Sequence, residues 1–594
     1  MSENQSYSRK QGAERTLFRA SAVDFKHISG SPIAYWVGEN VRRAFSNGTD
    51  LSDLYKPIQG LITGNTERFA KLWHEVGNDK ALLAPASKME ALASGRKWFP
   101  YNKGGSFRKW YGNNEFVVNW ESDGAELKGF KDGNGKLLSR PQNESTYFKE
   151  GLTWTAISSS LFAVRYCPEG SIGSNAGMMV FSENPADLKP LLGLLNSSLT
   201  SHLMSCLSQT LNFDQGIVSR IPVIDGLASP FADRIIEIAK HDWDCYENSW
   251  DFVGAPLLNP EFSKPHLKGS YQMLRNRWHE TTLEMQQLEQ ENNCIFIDAY
   301  GLQDELNPEV PLSEITLTCN PHYRYGGDNT EEELEAMLLA DTMRELVSYA
   351  VGCMLGRYSI DKPSLILANQ GEKLADYLEQ HRLAQVPQPR FPADDDNVIP
   401  VLDGDWFADD ITLRFRQFLR VAFGDEHYEG NLAFIEQALN LNGKRNYSLR
   451  DYFLREFYDD HVKRYQKRPI YWLFSSPKGS FNALIYMHRY RPDTVSVVLR
   501  YLRDFRKKVA DEKDRQASAS INPAVSQGDR TRALKETDRL SKVLAELDDY
   551  ERDVMYPLAT QQIEIDLDDG VKVNYLKFGA ALKKIVGLEA KDED

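Results

Sequence analysis

The stretch LTWTAISSSLFAVRY (residues 152–166) indicates the fold of the first half of the chain. It holds two β-like runs, LTWTAI and LFAVRY, separated by three serines. Similar short runs stand on both sides of it, namely FVVNW (116–120), MMVF (178–181) and RIPVI (220–224). Short runs of β-branched and aromatic residues between Gly, Asn and Asp turns are typical of strands. With one leucine-rich helix at 185–207, residues 55–228 are predicted to form a mixed α/β domain.

Beyond residue 230 the pattern becomes helical. Largely apolar residues recur with a 4-3-4-3 spacing, at Leu274, Trp278, Thr281, Met285 and Leu288. This spacing predicts a helix that packs against another helix. The predicted fold class is therefore α+β, a mixed α/β domain followed by a large, mostly α-helical region. The predicted divisions are a helical lead-in (1–54), the mixed domain (55–228), an acidic helical domain (229–440), a basic helical domain (441–510), a polar mobile linker (511–530), and a C-terminal helix with a small strand pair (531–594).

The composition is that of an ordinary globular protein. The chain has 594 residues, 41% of them hydrophobic, and 70 Lys+Arg against 85 Asp+Glu, which gives a net charge of −15. These values exclude collagen-like, mucin-like and low-complexity scaffolds. No apolar run is long enough to span a bilayer, and the first residues lack the apolar core of a secretory signal. We therefore expect a cytoplasmic protein without a membrane partner.

Catalytic and metal-binding motifs are scarce in the sequence. The six cysteines lie far apart without a Cys-x-x-Cys pair, and no His-Glu-x-x-His motif occurs. No metal site, cofactor-binding residue or catalytic residue is predicted from them. One sequence, Asn320-Pro321-His322-Tyr323, differs by a single residue from the Asn-Pro-Pro-Tyr loop with which amino methyltransferases hold a target amine. ITLT (315–318) is a plausible strand before it, yet a structural loop is the favoured interpretation.

The charges are distributed unevenly along the chain. Residues 301–440 contain 10 Lys+Arg and 26 Asp+Glu, whereas residues 441–508 contain 16 and 6. The second stretch is a candidate surface for phosphates. A basic segment packed on its acidic neighbour is an equally good interpretation.

A second basic stretch, RKWFPYNKGGSFRKWY (96–111), has five Lys/Arg, six aromatic residues and no acid. Cations and flat rings are what phosphate neutralisation and base contact need. The structural interpretation is a half-buried β-hairpin whose turn is Lys103-Gly104-Gly105. The two interpretations are compatible.

Four longer segments carry a resemblance to a known family. They are KWFPYNKGGSFRKWYGNNEFVVNWESDG (97–124), LLGLLNSSLTSHLMSCLSQTLNFDQGIVSRIPV (191–223), SYAVGCMLGRYSID (348–361) and KRPIYWLFSSPKGSFNALIYMHRY (467–490). Through them the chain resembles PglX, the adenine-specific DNA methyltransferase family of BREX phage-defence systems. The resemblance covers nearly the whole chain but only the C-terminal half of the family's length. It implies that the S-adenosylmethionine fold and the Asn-Pro-Pro-Tyr loop belong to the other half.

The resemblance places a DNA target-recognition domain on residues 55–228. Two sets of side chains are then expected to contact DNA. In the recognition domain these are Lys97, Lys103, Arg108, Lys109, Arg165, Asn212 and Gln215, where the cations would neutralise phosphates or read guanine and the amides would read adenine. In the basic region they are Arg464, Lys467, Arg468 and Lys478.

The function implied by the resemblance is DNA target recognition for N6-adenine methylation in a BREX-type defence system. Whether the chain is an enzyme on its own stays open. No cofactor is expected in this chain, and S-adenosylmethionine would bind the family's missing half. The expected partners are double-stranded DNA, a methyltransferase-domain polypeptide and other BREX proteins. Two alternatives are a complete N6-adenine methyltransferase that uses Asn320–Tyr323 and a protein-interaction subunit of the defence complex.

Overall fold

The computed structural model describes residues 38–158, 160–208, 212–226, 228–386 and 388–588. Its strands are β1 Thr49–Asp50, β2 Lys56–Ile58, β3 Ala70–Leu72, β4 Trp98–Asn102, β5 Phe116–Asn119, β6 Gly151–Thr155, β7 Val164–Cys167, β8 Ile172–Gly173, β9 Gly177–Phe181, β10 Pro222–Val223, β11 Ile399–Pro400, β12 Tyr471–Ser475 and β13 Asn482–Tyr486. Its helices up to residue 299 are α1 Glu39–Asn47, α2 Leu51–Leu54, α3 Thr66–Phe69, α4 Lys88–Ala93, α5 Glu121–Lys128, α6 Leu188–Leu195, α7 Ser198–Leu207, α8 Gln215–Val218, α9 Ala232–Asp244 and α10 Leu267–Ala299. The later helices are α11 Pro321–Tyr325, α12 Glu331–Met354, α13 Leu374–Leu383, α14 Ile411–Phe423, α15 Tyr428–Leu439, α16 Leu449–Arg455, α17 Phe457–Arg464, α18 Thr494–Ile521, α19 Gln527–Tyr550, α20 Tyr556–Gln561 and α21 Gly570–Leu576. The predicted α+β fold class is confirmed. Residues 1–37 of the lead-in predicted at 1–54 lie outside the described residues.

Two four-stranded sheets form the part of the chain predicted as a mixed domain. The first has the order β2-β9-β6-β7 and is antiparallel throughout, so the strands predicted in LTWTAI, LFAVRY and MMVF are confirmed. The second has the order β3-β5-β4-β8, in which β8 runs parallel to β4. The chain passes from the second sheet to the first between β8 and β9. The sheets meet closely there, since a Cβ on Gly177 would lie 2.3 Å from the carbonyl oxygen of Asn102.

The basic and aromatic stretch 96–111 is not the hairpin that its sequence suggests. β4 pairs with β5, with Tyr101 opposite Phe116, so residues 103–115 form a long loop instead of a tight turn at Lys103-Gly104-Gly105. The loop reaches the other sheet, because the Trp110 amide donates to the Val164 carbonyl (2.9 Å) and the Tyr166 amide donates to the Trp110 carbonyl (2.7 Å). One loop therefore joins the edge of β7 to the second sheet.

The predicted helix at 185–207 is two helices, α6 and α7, divided at Asn196. The Asn196 side chain accepts from the Val164 amide and donates to the Val164 carbonyl, both at 2.9 Å. Ser197 then caps α7 by accepting from the Thr200 amide (3.3 Å). The break thus allows an amide to pair with the backbone of β7.

In the helical region after residue 230, α10 packs against α9 and α15, and α12 packs against α11, α14 and α15. The spacing predicted in α10 is largely confirmed, since Leu274, Trp278 and Met285 are buried. The basic stretch 441–510 is not wholly helical, because β12 and β13 form a hairpin that β11 extends into a three-stranded sheet. Nearly every residue of the hairpin is buried, so its sequence shows no alternation that would distinguish strand from helix.

Two predictions for the C-terminal part are wrong. The polar stretch 511–530 is not a linker, since α18 continues to Ile521 and forms an antiparallel hairpin with α19. Short exposed ion pairs such as Arg515–Glu512 (2.7 Å) support a helix there without large apolar residues. The predicted strand pair at 563–578 is also helical. Its buried residues Val571, Asn574 and Tyr575 follow a 3-4 spacing, and Gly570, the first residue of α21, has a positive φ of 79° that favours glycine.

One large apolar core runs through the described residues. It contains side chains of β6 and β7, of α6 and α7, and of the helical region as far as Leu588. The core therefore continues across the domain boundary predicted at residue 228. In the described part of the chain, no helix is long and apolar enough to cross a membrane.

Three buried histidines lie where the turn after β3 meets the helical region. The His488 ring donates from Nε2 to the Val76 carbonyl (3.2 Å), and His461 Nε2 accepts from the Tyr471 amide (3.0 Å). His74 packs edge-on against Tyr465. Burial, together with the charge of nearby arginines, lowers the pKa of His74 and His461 well below the usual value and that of His488 to about 3.

These pKa values predict an acid-sensitive fold. In the unfolded chain these histidines bind protons below pH about 6.5, whereas in the folded protein they stay neutral to a much lower pH. The free energy of unfolding is therefore highest above pH about 6.5 and falls as the pH approaches 3. We expect His488→Gln, whose amide can still donate to Val76, to reduce this dependence by about 1.4 kcal/mol per pH unit. Unfolding titrations of parent and variant from pH 8 to pH 4 measure it. Parallel curves for the two proteins would contradict the prediction.

Candidate nucleic-acid interface

The loop 103–115 inserts two of its three cations, Arg108 and Lys109, into the helical region. The Lys109 ammonium forms an ion pair with Glu289 of α10, and Trp110 donates from its indole to the same carboxylate (2.8 Å). Arg108 forms an ion pair with Asp242 of α9 (3.3 Å). Arg108 and Lys109 are only 4% and 5% exposed, so neither presents its charge to solvent.

Arg165 of β7 lies beside this loop and is also buried. Its guanidinium donates to the Arg108 carbonyl (3.3 Å) and to the Thr155 hydroxyl (3.4 Å). Burial, reinforced by the charge of Arg108, lowers the pKa of Arg165 to about 10. Three of the cations predicted to contact DNA are therefore withdrawn from the surface in this structure.

Lys97 holds the C-terminal segment on the second sheet. Its ammonium lies 3.0 Å from the carboxylate of Asp568, which Lys80 also approaches (2.9 Å) and to which the Trp98 indole donates (2.8 Å). Although burial opposes it, these hydrogen bonds keep the pKa of Asp568 below its usual value. The Asp568 carboxylate thus binds Trp98, which lies 470 positions earlier in the sequence.

The structure brings Lys103 and Arg468, one from each predicted set, into one cleft of about 640 Å³. Lys71 and Lys572 also line it. Lys103 Nζ lies 4.6 Å from the centre of the Phe116 ring and, within the described residues, makes no ion pair. Arg468 lies 3.3 Å from Glu67.

The remaining predicted residues differ in their exposure. Arg464 is 18% exposed and faces Glu247 at 3.5 Å. Lys467 and Lys478 are exposed. Asn212 and Gln215 are exposed as well, and Gln215 begins α8 beside the bridge between Ile157 and Asn212. The structure therefore exposes two amides at or near the start of α8 and two lysines, one before and one after β12.

The Asn320–Tyr323 sequence has its polar groups occupied. The Asn320 amide donates to the carbonyls of Leu312 (2.7 Å) and Ile315 (2.8 Å), and its oxygen accepts from the His322 amide (3.2 Å). Asn320 is 0% exposed. The preceding ITLT segment is not a strand. Asn320 is the N-cap of α11, so the sequence has a structural role as favoured, but residues 321–325 form a short helix and not a loop.

Some residues of these sites were not predicted from the sequence. Glu289 and Asp242, which hold the loop 103–115, were missed, as were Lys71 and Lys572 of the cleft. A signal existed for Glu289, because it lies four residues after Met285 on the buried face of α10. A carboxylate on an apolar helical face requires a buried cation as its partner.

In the described part of the chain, no group of three or more His, Cys, Asp or Glu is arranged to hold a metal ion.

Comparison with known proteins gives two curated relatives. The adenine-specific methyltransferase BrxX of Escherichia coli O9:H4 (strain HS) is 37% identical over 583 residues, which are 95% of this chain and 46% of BrxX. The adenine-specific methyltransferase PglX of Lacticaseibacillus casei (strain Zhang) is 33% identical over 593 residues, which are 96% of this chain and 46% of PglX.

The chain is homologous to both methyltransferases. The resemblance to PglX deduced from four segments is thereby confirmed along nearly the whole chain. The chain spans about half the length of these curated relatives. No protein-family model matches it.

The buried pair Lys109–Glu289 gives a stability prediction. Glu289→Ala leaves the Lys109 charge buried without its partner, so we expect the free energy of unfolding to fall by about 3–5 kcal/mol. The matched control is Glu284→Ala on the same helix, whose ion pair with Arg234 (2.7 Å) has side chains 42% and 50% exposed. An exposed pair contributes at most about 1 kcal/mol. Denaturant titrations in which both variants lose equal stability would contradict this role of the buried pair.

Proposed function

We propose that the chain supplies DNA target recognition for N6-adenine methylation in a BREX-type phage-defence system, as a PglX-like portion without its own methyl-transfer centre. The observation that carries the proposal is homology to two adenine-specific methyltransferases along 95–96% of this chain but only 46% of theirs. More than half of each relative has no counterpart in the aligned region. In this proposal the methyl-transfer centre and its S-adenosylmethionine belong to that other part.

The exposed amides and lysines support recognition of duplex DNA. Asn and Gln side chains can donate to and accept from adenine in the major groove, which suits Asn212 and Gln215 at the surface. Lys467 and Lys478 are exposed and suited to phosphates, which position a protein on DNA without reading sequence. The cleft that holds Lys103 and Arg468 adds two further cations, and Arg468 directly follows Lys467 in the sequence.

The proposed partners follow from assigning target recognition to this chain and methyl transfer to another polypeptide. Double-stranded DNA would contact the exposed amides and lysines. A methyltransferase-domain polypeptide would supply methyl transfer, and other BREX proteins would complete the defence complex.

The geometry disfavours the alternative in which this chain methylates adenine through Asn320–Tyr323. An amine-holding Asn needs free acceptor capacity at an open pocket. The Asn320 side chain is buried and bonded to its own loop, and the Tyr323 hydroxyl donates to the Phe107 carbonyl. We therefore expect calorimetry of the full chain to show no micromolar binding of S-adenosylmethionine. Clear binding would revive this alternative.

DNA-binding variants test the proposal directly. Gln215→Ala should lower the preference for a selected duplex over a scrambled one by about 1–3 kcal/mol, because a base contact is lost. Lys467→Ala and Lys478→Ala should weaken binding to both duplexes equally and reduce the slope of log affinity against log salt by about 1 each. Fluorescence anisotropy at several salt concentrations measures both effects.

The control for lysine removal is Lys535→Ala, at an exposed position of α19. It lies 11 residues from Glu546, which accepts from the Lys478 amide (2.7 Å), and hence about 16 Å along the helix. This variant should leave the salt slope unchanged. Charge reversal at Lys467 and Lys478 without any effect on DNA affinity would contradict the proposal and favour an interaction with acidic partner proteins.

A further inference from the structure

The cleft of about 640 Å³ that holds Lys103 and Arg468 lies where the second sheet meets α21. Cations from four separate segments of the chain line it, namely Lys71 of β3, Lys103 of the loop after β4, Arg468 before β12, and Lys572 of α21. Charges that are far apart in the sequence are thus gathered in one place. Like charges repel each other, so such a cleft favours an anion between them.

Two of these cations are partly or fully buried and, within the described residues, form no ion pair. The Lys71 ammonium donates to the carbonyls of Glu67 and Asp569, the latter at 2.8 Å. The Lys103 ammonium lies over the Phe116 ring. Burial lowers the pKa of both lysines, and the charge of Arg468 acts in the same direction, although nearby carboxylates oppose it. A further negative charge in the cleft would therefore stabilise both ammonium groups.

One exposed carboxylate reaches the other two cations. Both oxygens of Glu67 lie 3.3 Å from the Arg468 guanidinium, and one lies 3.9 Å from the Lys572 ammonium. These distances exceed the separation of about 2.7–2.9 Å in a strong charge-assisted hydrogen bond. The Glu67 side chain is 58% exposed, so rotation about its own bonds is enough to withdraw it from the cleft.

The other two carboxylates of the cleft are engaged by groups of the fold. Glu75 is buried, lies 3.8 Å from Arg468 and has each of its oxygens bonded to a backbone amide. Asp569 lies 3.6 Å from Lys577, which does not line the cleft. Glu67 is therefore the carboxylate that an external anion can replace.

We propose that this cleft binds a phosphate group and that Glu67 occupies the position of that phosphate until it enters. Lys and Arg are the usual ligands of phosphate oxygens, which point in several directions and so suit cations on several walls of one cleft. Where the phosphate belongs to duplex DNA, the site rests on the proposed function, and Glu67 is a group that weakens DNA binding. The other source is a free phosphate-bearing molecule.

Lys103→Met tests the phosphate site. The variant keeps the length of the side chain and its contact with Phe116 but removes the charge, so the melting temperature should not fall. It should weaken binding of a selected and a scrambled duplex equally, by about fivefold at about 150 mM salt, because one phosphate contact has a salt slope of about 0.9. Isothermal titration calorimetry of the full chain should show weaker binding of inorganic pyrophosphate as well.

Glu67→Gln tests the internal competitor. Because the neutral amide no longer pairs with Arg468 and Lys572, binding of duplex DNA and of pyrophosphate should tighten by up to about fivefold, which corresponds to the loss of an exposed ion pair. The matched control is Glu126→Gln, which removes a carboxylate of similar exposure (45%) from its ion pair with Arg68 (2.6 Å) outside the cleft. The control should leave pyrophosphate binding unchanged.

The two ligands separate failure of this site from failure of the proposed function. If the parent binds pyrophosphate but no duplex DNA, and the variants shift pyrophosphate affinity as described, the cleft takes a free phosphate-bearing molecule and the proposed function fails. If the parent selects a DNA motif but Lys103→Met leaves its DNA affinity and salt slope unchanged, the phosphate site is overturned and the proposed function stands. Equal effects of Glu67→Gln and Glu126→Gln, or a parent that binds neither ligand, also overturn the site.

Discussion

The ion pair between Lys109 and Glu289 is the interaction on which the arrangement of the chain depends. It fixes the loop 103–115 against α10, and that loop extends the edge of β7 through Trp110. The two sheets, the loop and the longest helix are therefore one packed unit. A buried charge pair contributes little net stability compared with apolar residues of the same size, so we infer that its main effect here is to select this position of the loop.

The same constraint determines which cations can face DNA. The side chains of Arg108, Lys109 and Arg165 are buried, and Lys97 forms an ion pair with Asp568 of the C-terminal segment. The asymmetry of charge along the sequence is partly neutralised internally as well, because Arg450 of the basic stretch pairs with Asp410 of the acidic one (3.2 Å). What remains for a nucleic acid is a smaller set of exposed amides and lysines on separate elements.

Much of the fold could be predicted from the sequence, and the errors have physical causes. Three strands of the first sheet, β6, β7 and β9, and the packed face of α10 were predictable because they depend on local periodicity, whereas β2 was not predicted. The loop 103–115, the carboxylates that hold it and the cleft around Lys103 depend on contacts between distant residues, which periodicity does not reveal. The helix of 511–521 was missed because a composition of Ala, Ser and Asp is shared by helices and linkers. The helix of 570–576 was missed because its valines and tyrosine, which follow an Asp-Asp-Gly sequence, are also typical of a strand after a turn. The homology was evident from four segments, whereas the withdrawal of three predicted DNA-contacting cations required the structure.

The central claim is that this chain recognises a DNA sequence. Selection from a random duplex library by the purified full chain at about 150 mM salt, where non-specific phosphate attraction is already weakened, tests it most directly. The account predicts enrichment of one motif that contains adenine. Retention of DNA without any motif, or no retention, would contradict it and would assign sequence recognition to another part of the relatives or the chain's partners to proteins.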